Sequence, residues 1–185
     1  MGCWGITAFE SDTGLDAVGL IRENLPDDGK ADIKKMLHIL KKDSWSRPPD
    51  ITEGQCHSSP MALAEIIVRL VDGQEAGLDH EGNEKKFSAL TSFSADKESL
   101  RWLRDYLADT LAYKRKEAAA QRGYPEKWGG WFKEQNWIDW QKHMERLTMR
   151  LEELLAEPER VIELIGAGVR KTSMEIQGDV PVLRM

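Results

Sequence analysis

The sequence predicts an all-α protein: a single helical domain built on a long antiparallel helical hairpin, with N-terminal helices packed across it and a short C-terminal extension. Three observations lead there. Apolar residues recur at three- and four-residue intervals over most of the 185-residue chain. Capping residues, Pro and Gly punctuate the chain where helices should start and stop. Alternating period-two runs are nearly absent.

The elements follow in order. In SDTGLDAVGLIRENLP, Leu15, Val18, Ile21 (or Leu20) and Leu25 share a face, Ser11 or Asp12 caps, and Pro26 follows the end. Pro-Asp-Asp-Gly is a turn. ADIKKMLHILKK is a second short helix with Ile33, Met36, Leu37 and Leu40 on one side. DSWSRPPDITEGQCHSS is irregular, because Pro48 and Pro49 forbid a regular helix. SSPMALAEIIVRLVDG, with Ser59 as N-cap and Pro60 at the first helical position, is apolar nearly all round and reads as the buried central helix, ended by Gly73. GLDHEGNEKKFSALTSF reads as a loop.

Two long helices come next. SADKESLRWLRDYLADTLAYKRKEAAAQ is capped by Ser94 and carries a stripe of Leu100, Leu103, Leu107 and Leu111. RGYPEKWGG breaks it, and WFKEQNWIDWQKHMERLTMRLEELLAEP continues with Trp137, Trp140, Met144, Leu147, Leu151 and Leu154. At 1.5 Å per residue each spans about 35 Å. A connection of about a dozen residues lets them pack antiparallel. Residues 1–157 form the helical domain; 158–185 add a short helix, PERVIELIGAG, and a tail packed on the same domain.

Composition narrows the function. Hydrophobic residues make up 41% and charged residues 31%, ordinary for a globular protein, and the net charge is −6. The stretch 101–150 is the exception, with 7 acids against 11 bases. An acidic body argues against nucleic-acid binding and suits a basic partner. No apolar run is long enough for a membrane span, and no secretory signal opens the chain, so a cytoplasmic location is expected. Cys3 and Cys56 make a poor disulfide framework and read as thiols. Met1-Gly2-Cys3 misses the myristoylation pattern, which wants Ser or Thr where Ile6 stands.

Seven tryptophans are many, and five fall between 102 and 140. A buried Trp removes about 200 Å² from water, roughly 5 kcal/mol as an upper bound. Two readings compete. In one, Trp131, Trp137 and Trp140 seat the start of the second long helix against its partner, Trp137 and Trp140 lying on a core stripe. In the other, Trp128, Trp131 and Phe132 are partly exposed and, with Lys127 and Lys133, make a docking patch. Trp4, between glycines ahead of the first helix, reads as an anchor: Gly2 and Gly5 let the backbone pass close to a neighbour while the indole plugs a gap. Ile6 and Phe9 would continue the plug.

Reactive constellations are sparse. Asp12 and Asp16 share a helix face, with Glu10 just before, and together with Glu65 could hold a cation or do acid–base work. Helix capping and polarisation explain the aspartates as well, and Glu65 can pair with Arg69 one turn on. The histidines show no metal-ligand spacing. Cys56 and His57, being adjacent, make a poor nucleophile–base pair. GAGVRKTS lacks the phosphate-loop spacing and reads as a helix C-terminus. No cofactor or metal is expected.

Met1, Gly2, Trp4, Gly5, Glu10, Ser11, Asp12, Gly14, Leu15 and Asp16 together resemble the opening of an uncharacterised bacterial family of small proteins, a domain of unknown function that begins Met-Gly-x-Trp-Gly. ALAEIIVRL at 62–70 and WQKHMERLTMRLEELL are similar to its later helices, so the likeness covers residues 1–155. The WGGWFKEQNW connection and the chain after 157 depart from it. Relatives of this kind occur among immunity proteins for polymorphic or contact-dependent toxins. The resemblance therefore implies a non-catalytic factor that neutralises a cognate toxin, such as a nuclease, by occluding its active site. Candidate contacts are the acidic loops with Asp27, Asp28, Asp72, Glu75, Asp79 and Glu81, and the connection with Trp128 and Trp131. The alternative is a metal-dependent or acid–base enzyme using Glu10, Asp12, Asp16 and Glu65.

Overall fold

A computed structural model describes residues 3–79, 85–122 and 126–167. Gly2, Glu81 and the expected tail after 167 lie outside the described residues. The fold is mainly helical. Helix α1 spans Asp12–Glu23, α2 Ile33–Lys42, α3 Ser59–Val71, α4 Lys97–Ala120 and α5 Glu134–Ala156. Ser11 caps α1 by accepting from the Gly14 N–H, and Asp32 caps α2 by accepting from that of Lys35. All-α is corrected by a small sheet of β1 (Lys30–Asp32), β2 (Ser92–Asp96) and β3 (Val161–Glu163).

In the sheet, β2 is central. It pairs in parallel with β1, Ala31 opposite Phe93, and antiparallel with β3, Ala95 opposite Ile162. Its residues alternate, with Phe93 and Ala95 fully buried beneath α2 and α4. Two corrections follow. Ser94 is a strand residue, and the cap of α4 is Asp96, which accepts from the Ser99 N–H at 2.9 Å. The expected helix over PERVIELIGAG is instead strand β3, where β-branched Val161 and Ile162 pair with the open edge of β2. The Glu163 carboxylate reinforces this edge by accepting from the Phe93 N–H at 2.7 Å.

Helix α3 is the centre of the core. Every residue from Ser59 to Val71 is buried except Arg69. Helices α1, α4 and α5 all pack on it. Helices α4 and α5 also pack on each other, with Arg104 reaching Glu152 and Arg115 reaching Gln141 and Glu145. Trp140 is fully buried, its indole N–H donating to the Cys56 carbonyl at 2.9 Å. Trp137 stacks on it with centroids 5.5 Å apart. Gly129, at φ +62°, lies under Trp137; a Cβ there would meet the ring at 2.6 Å.

The N-terminal segment is tied down, but not by its indole. Trp4 is 60% exposed. The backbone makes the attachment: Trp4 N–H donates to the Glu10 carbonyl at 3.0 Å, and Cys3 bridges Ser11. Gly5 serves the Glu10 carboxylate, which would lie 2.2 Å from a Cβ at that position. Gly14 lets α1 press on the Ala8 carbonyl, 1.8 Å from where a Cβ would stand. Ile6 and Phe9 do pack against the core.

Candidate functional site

The acids and histidines that could do chemistry meet around the N-terminal segment. Glu65, on α3, is 4% exposed. Its Oε1 accepts from the Ala8 N–H at 2.7 Å and from His143 Nε2, on α5, at 2.8 Å. The expected pair with Arg69 does not form, because Glu65 points inward while Arg69 stacks on Phe9 and donates to the Gly77 carbonyl. Glu10 Oε2 accepts from the N–H groups of Ile6 and Thr7, both at 3.0 Å, and from the Thr7 hydroxyl. The Thr7 N–H leads in holding the Glu10 carboxyl below its usual range.

His57 completes this cluster. Its Nε2 lies 3.1 Å from the Ile6 carbonyl, which can only accept, so Nε2 carries the proton. The Cys3 thiol is 3.8 Å from the same nitrogen. With Nε2 protonated and turned to Ile6, His57 offers Cys3 no base. Burial raises the Cys3 pKa and pushes the Cys56 thiol to about 11, so both are thiols at neutral pH. Burial also lowers the His57 pKa, against the opposing pull of the Ile6 carbonyl and Glu65. Asp12 lies in the first turn of α1 and Asp16 is exposed on that helix. Among the described residues no group of three or more His, Cys, Asp or Glu is arranged to hold a metal ion. The four carboxylates named for acid–base work are thus divided between a buried scaffold and a helix surface.

The candidate contact residues separate into two regions. Asp27 and Asp28 are exposed in the turn after α1, and Asp27 lines a hollow with Lys85 and Lys86. Asp79 belongs to the same end but is spent on its loop, accepting from the N–H groups of Phe87 and Ser88 and from the Ser88 hydroxyl. Glu75 is half-buried in the 3₁₀ turn Glu75–Leu78. Asp72 pairs with Arg150 at 2.6 Å. The aromatic connection is elsewhere. Trp131 is only 8% exposed, edge-on to the His57 ring at 5.5 Å, and belongs to the core. Trp128 is half-buried with Lys127 over its ring at 4.6 Å, while the adjacent Phe132 is 78% exposed.

A feature that periodicity did not single out is the loop 43–58. Asp43 accepts from the N–H groups of Trp45 and Ser46, and Asp50 from that of Thr52; these local turns leave Trp45 83% exposed. Along the same loop, Arg47, Pro48, Pro49, Trp102 and Tyr106 line a groove of about 520 Å³. Tyr106 donates to the Pro49 carbonyl at 2.8 Å, and Lys41 stands 4.0 Å over the Trp102 ring. The available signal was the Trp-Ser-Arg-Pro-Pro stretch itself, a Trp beside prolines with no helical face to join. No described helix is long and apolar enough to cross a membrane. A scan of family models, a search of curated proteins and a search of solved structures each return no match to this chain.

Proposed function

We propose that this chain is a non-catalytic protein-binding factor of the immunity type, which neutralises a cognate bacterial toxin, such as a nuclease, by covering its active site in the cytoplasm. One observation carries the reading. The groups capable of chemistry, Glu10, Glu65, His57 and His143, are consumed by structural hydrogen bonds, while Trp45 and Phe132 face solvent. Exposed aromatics of this size are the usual anchors of protein interfaces. The resemblance of the opening residues to an uncharacterised bacterial family with immunity relatives points the same way. The net charge of −6 suits a basic partner and speeds its encounter. Exposed Asp27 and Asp28 supply part of that field, although Lys85 and Lys86 temper it locally. We read α4 and α5 as one antiparallel hairpin that serves as the rigid spine for this surface.

The test is co-purification with the product of the gene just upstream, followed by an assay of that product for toxin activity. Stoichiometric inhibition is expected, and Trp45→Ala should weaken the complex by about 2 kcal/mol, the size of an interface anchor. A toxin that stays fully active with this protein in excess removes the proposal.

A further inference from the structure

We propose that the cavity between the N-terminal turns of α1 and α3 is a binding site for a phosphate group. The cavity measures about 180 Å³ and is lined by Thr13 of α1, Ser44 to Arg47 and Pro49 of the loop, Glu53, Gln55, and Ser59 of α3. A single water needs roughly 10–15 Å³ of such space, so a ligand of several heavy atoms fits.

Three independent observations point to an anion. Ser59 is 1% exposed, and its hydroxyl is buried without a hydrogen-bond partner among the described residues. A buried hydroxyl in that state destabilises the fold unless something occupies its site. Second, α3 is uncapped. The Ser58 hydroxyl accepts nothing from the helix, leaving the positive end of a 13-residue helix beside the cavity. Third, Arg47 has no ion-pair or hydrogen-bond partner among the described residues and lines the same space.

The lining also selects among anions. Arg47 and the hydroxyls of Thr13, Ser44 and Ser59 can donate from several sides, which suits a tetrahedral ion better than a planar carboxylate. Among the described residues Glu53 is the one carboxylate on the wall; its Oε1 already accepts from the Asp50 N–H at 3.3 Å and its Oε2 from the Gln55 amide at 3.5 Å. The Asp43 carboxylate is likewise occupied by the N–H groups of Trp45 and Ser46. A monoanionic phosphate can donate its own O–H to Glu53, so the site accepts the singly charged form. Trp45 also lines the cavity, offering an indole face to an organic group carried by a phosphate ester.

Isothermal titration calorimetry at constant ionic strength, with inorganic phosphate, phenyl phosphate and acetate as probes, tests this on the full chain. Phosphate or phenyl phosphate should bind, and acetate at least about tenfold more weakly. Tighter binding of phenyl phosphate, lost in Trp45→Ala, assigns the source as a phosphate ester; equal binding assigns the free ion. Arg47→Gln, at an exposed position, should weaken either by about tenfold or more, and Ser59→Ala should weaken it with an unchanged or raised melting temperature. The proposal is overturned if neither phosphate probe binds at about 10 mM, a concentration that detects even millimolar affinity. It is equally overturned if Arg47→Gln binds as the parent protein does.

Discussion

Two irregular segments flank the central helix and are held in opposite ways. Residues 3–11 are fixed from a distance: α3 supplies Glu65 to the Ala8 N–H, His57 reaches the Ile6 carbonyl, and α5 supplies His143 to the same carboxylate. Residues 43–53 are held mainly by near neighbours, Asp43 and Asp50 each closing a turn within three residues, with one distant bond from Tyr106 to the Pro49 carbonyl. The first arrangement saturates its polar groups inside the protein. The second spends its polar groups on turns and leaves Trp45 and Arg47 uncommitted. Saturation of a buried network favours rigidity, whereas local turns present side chains for recognition.

That contrast sets the expected effects, the largest in the first segment. Glu65→Ala leaves the Ala8 N–H and His143 without their acceptor and should cost about 3 kcal/mol in urea unfolding. Glu53→Ala, in the second segment, should fall within about 0.5 kcal/mol. Comparable losses at the two positions would erase the distinction. Gly14→Ala forces a Cβ into the Ala8 carbonyl and should destabilise by about 2 kcal/mol. Gly19→Ala, in the same helix with open space around it, should instead stabilise by about 0.5–1 kcal/mol.

A smaller effect comes from pH. Burial depresses the His57 pKa below its ordinary 6.5. Below that value the unfolded chain takes up a proton that the folded chain resists, so stability is full above 6.5 and falls as pH drops toward the depressed folded value. His57→Gln should flatten the stability profile in this window. An unchanged slope would assign the pH dependence to other groups. Glu10 adds a separate loss at lower pH: its folded pKa lies below 4.5, so its contribution disappears as pH falls through that folded value. Trp45→Ala should have as small an effect as Glu53→Ala, within about 0.5 kcal/mol in stability. A large loss there would show that the 83% exposed indole is needed by the fold and not presented for binding.

Local pattern was enough for the five helices that form, though it also indicated one over PERVIELIGAG that is strand β3. The spacing of Leu100, Leu103, Leu107 and Leu111, and of Trp137, Trp140, Met144 and Leu147, places these residues on buried faces because helix period and face geometry are local properties. The strands were not legible. β1 and β3 have three residues each, too few for a period, and β2 finds its partners 62 and 69 residues away through Ala31–Phe93 and Ser94–Glu163. The candidate site was partly legible: Glu10 and Glu65 stood out, but their spacing suggested Asp12, Asp16 and Arg69 as companions. The actual companions, Ala8 and His143, lie in other elements.

The amino-acid order alone determined the five helices, the buried character of α3 and the core placement of Trp137 and Trp140. Only the tertiary structure decided what Gly5 and Gly14 accommodate, that Trp4 faces water while Trp131 does not, and that two helix starts converge on one polar cavity. The physical reason is range. Helix periodicity acts over three or four residues, whereas partners for a buried carboxylate or an open strand edge come from wherever the chain returns.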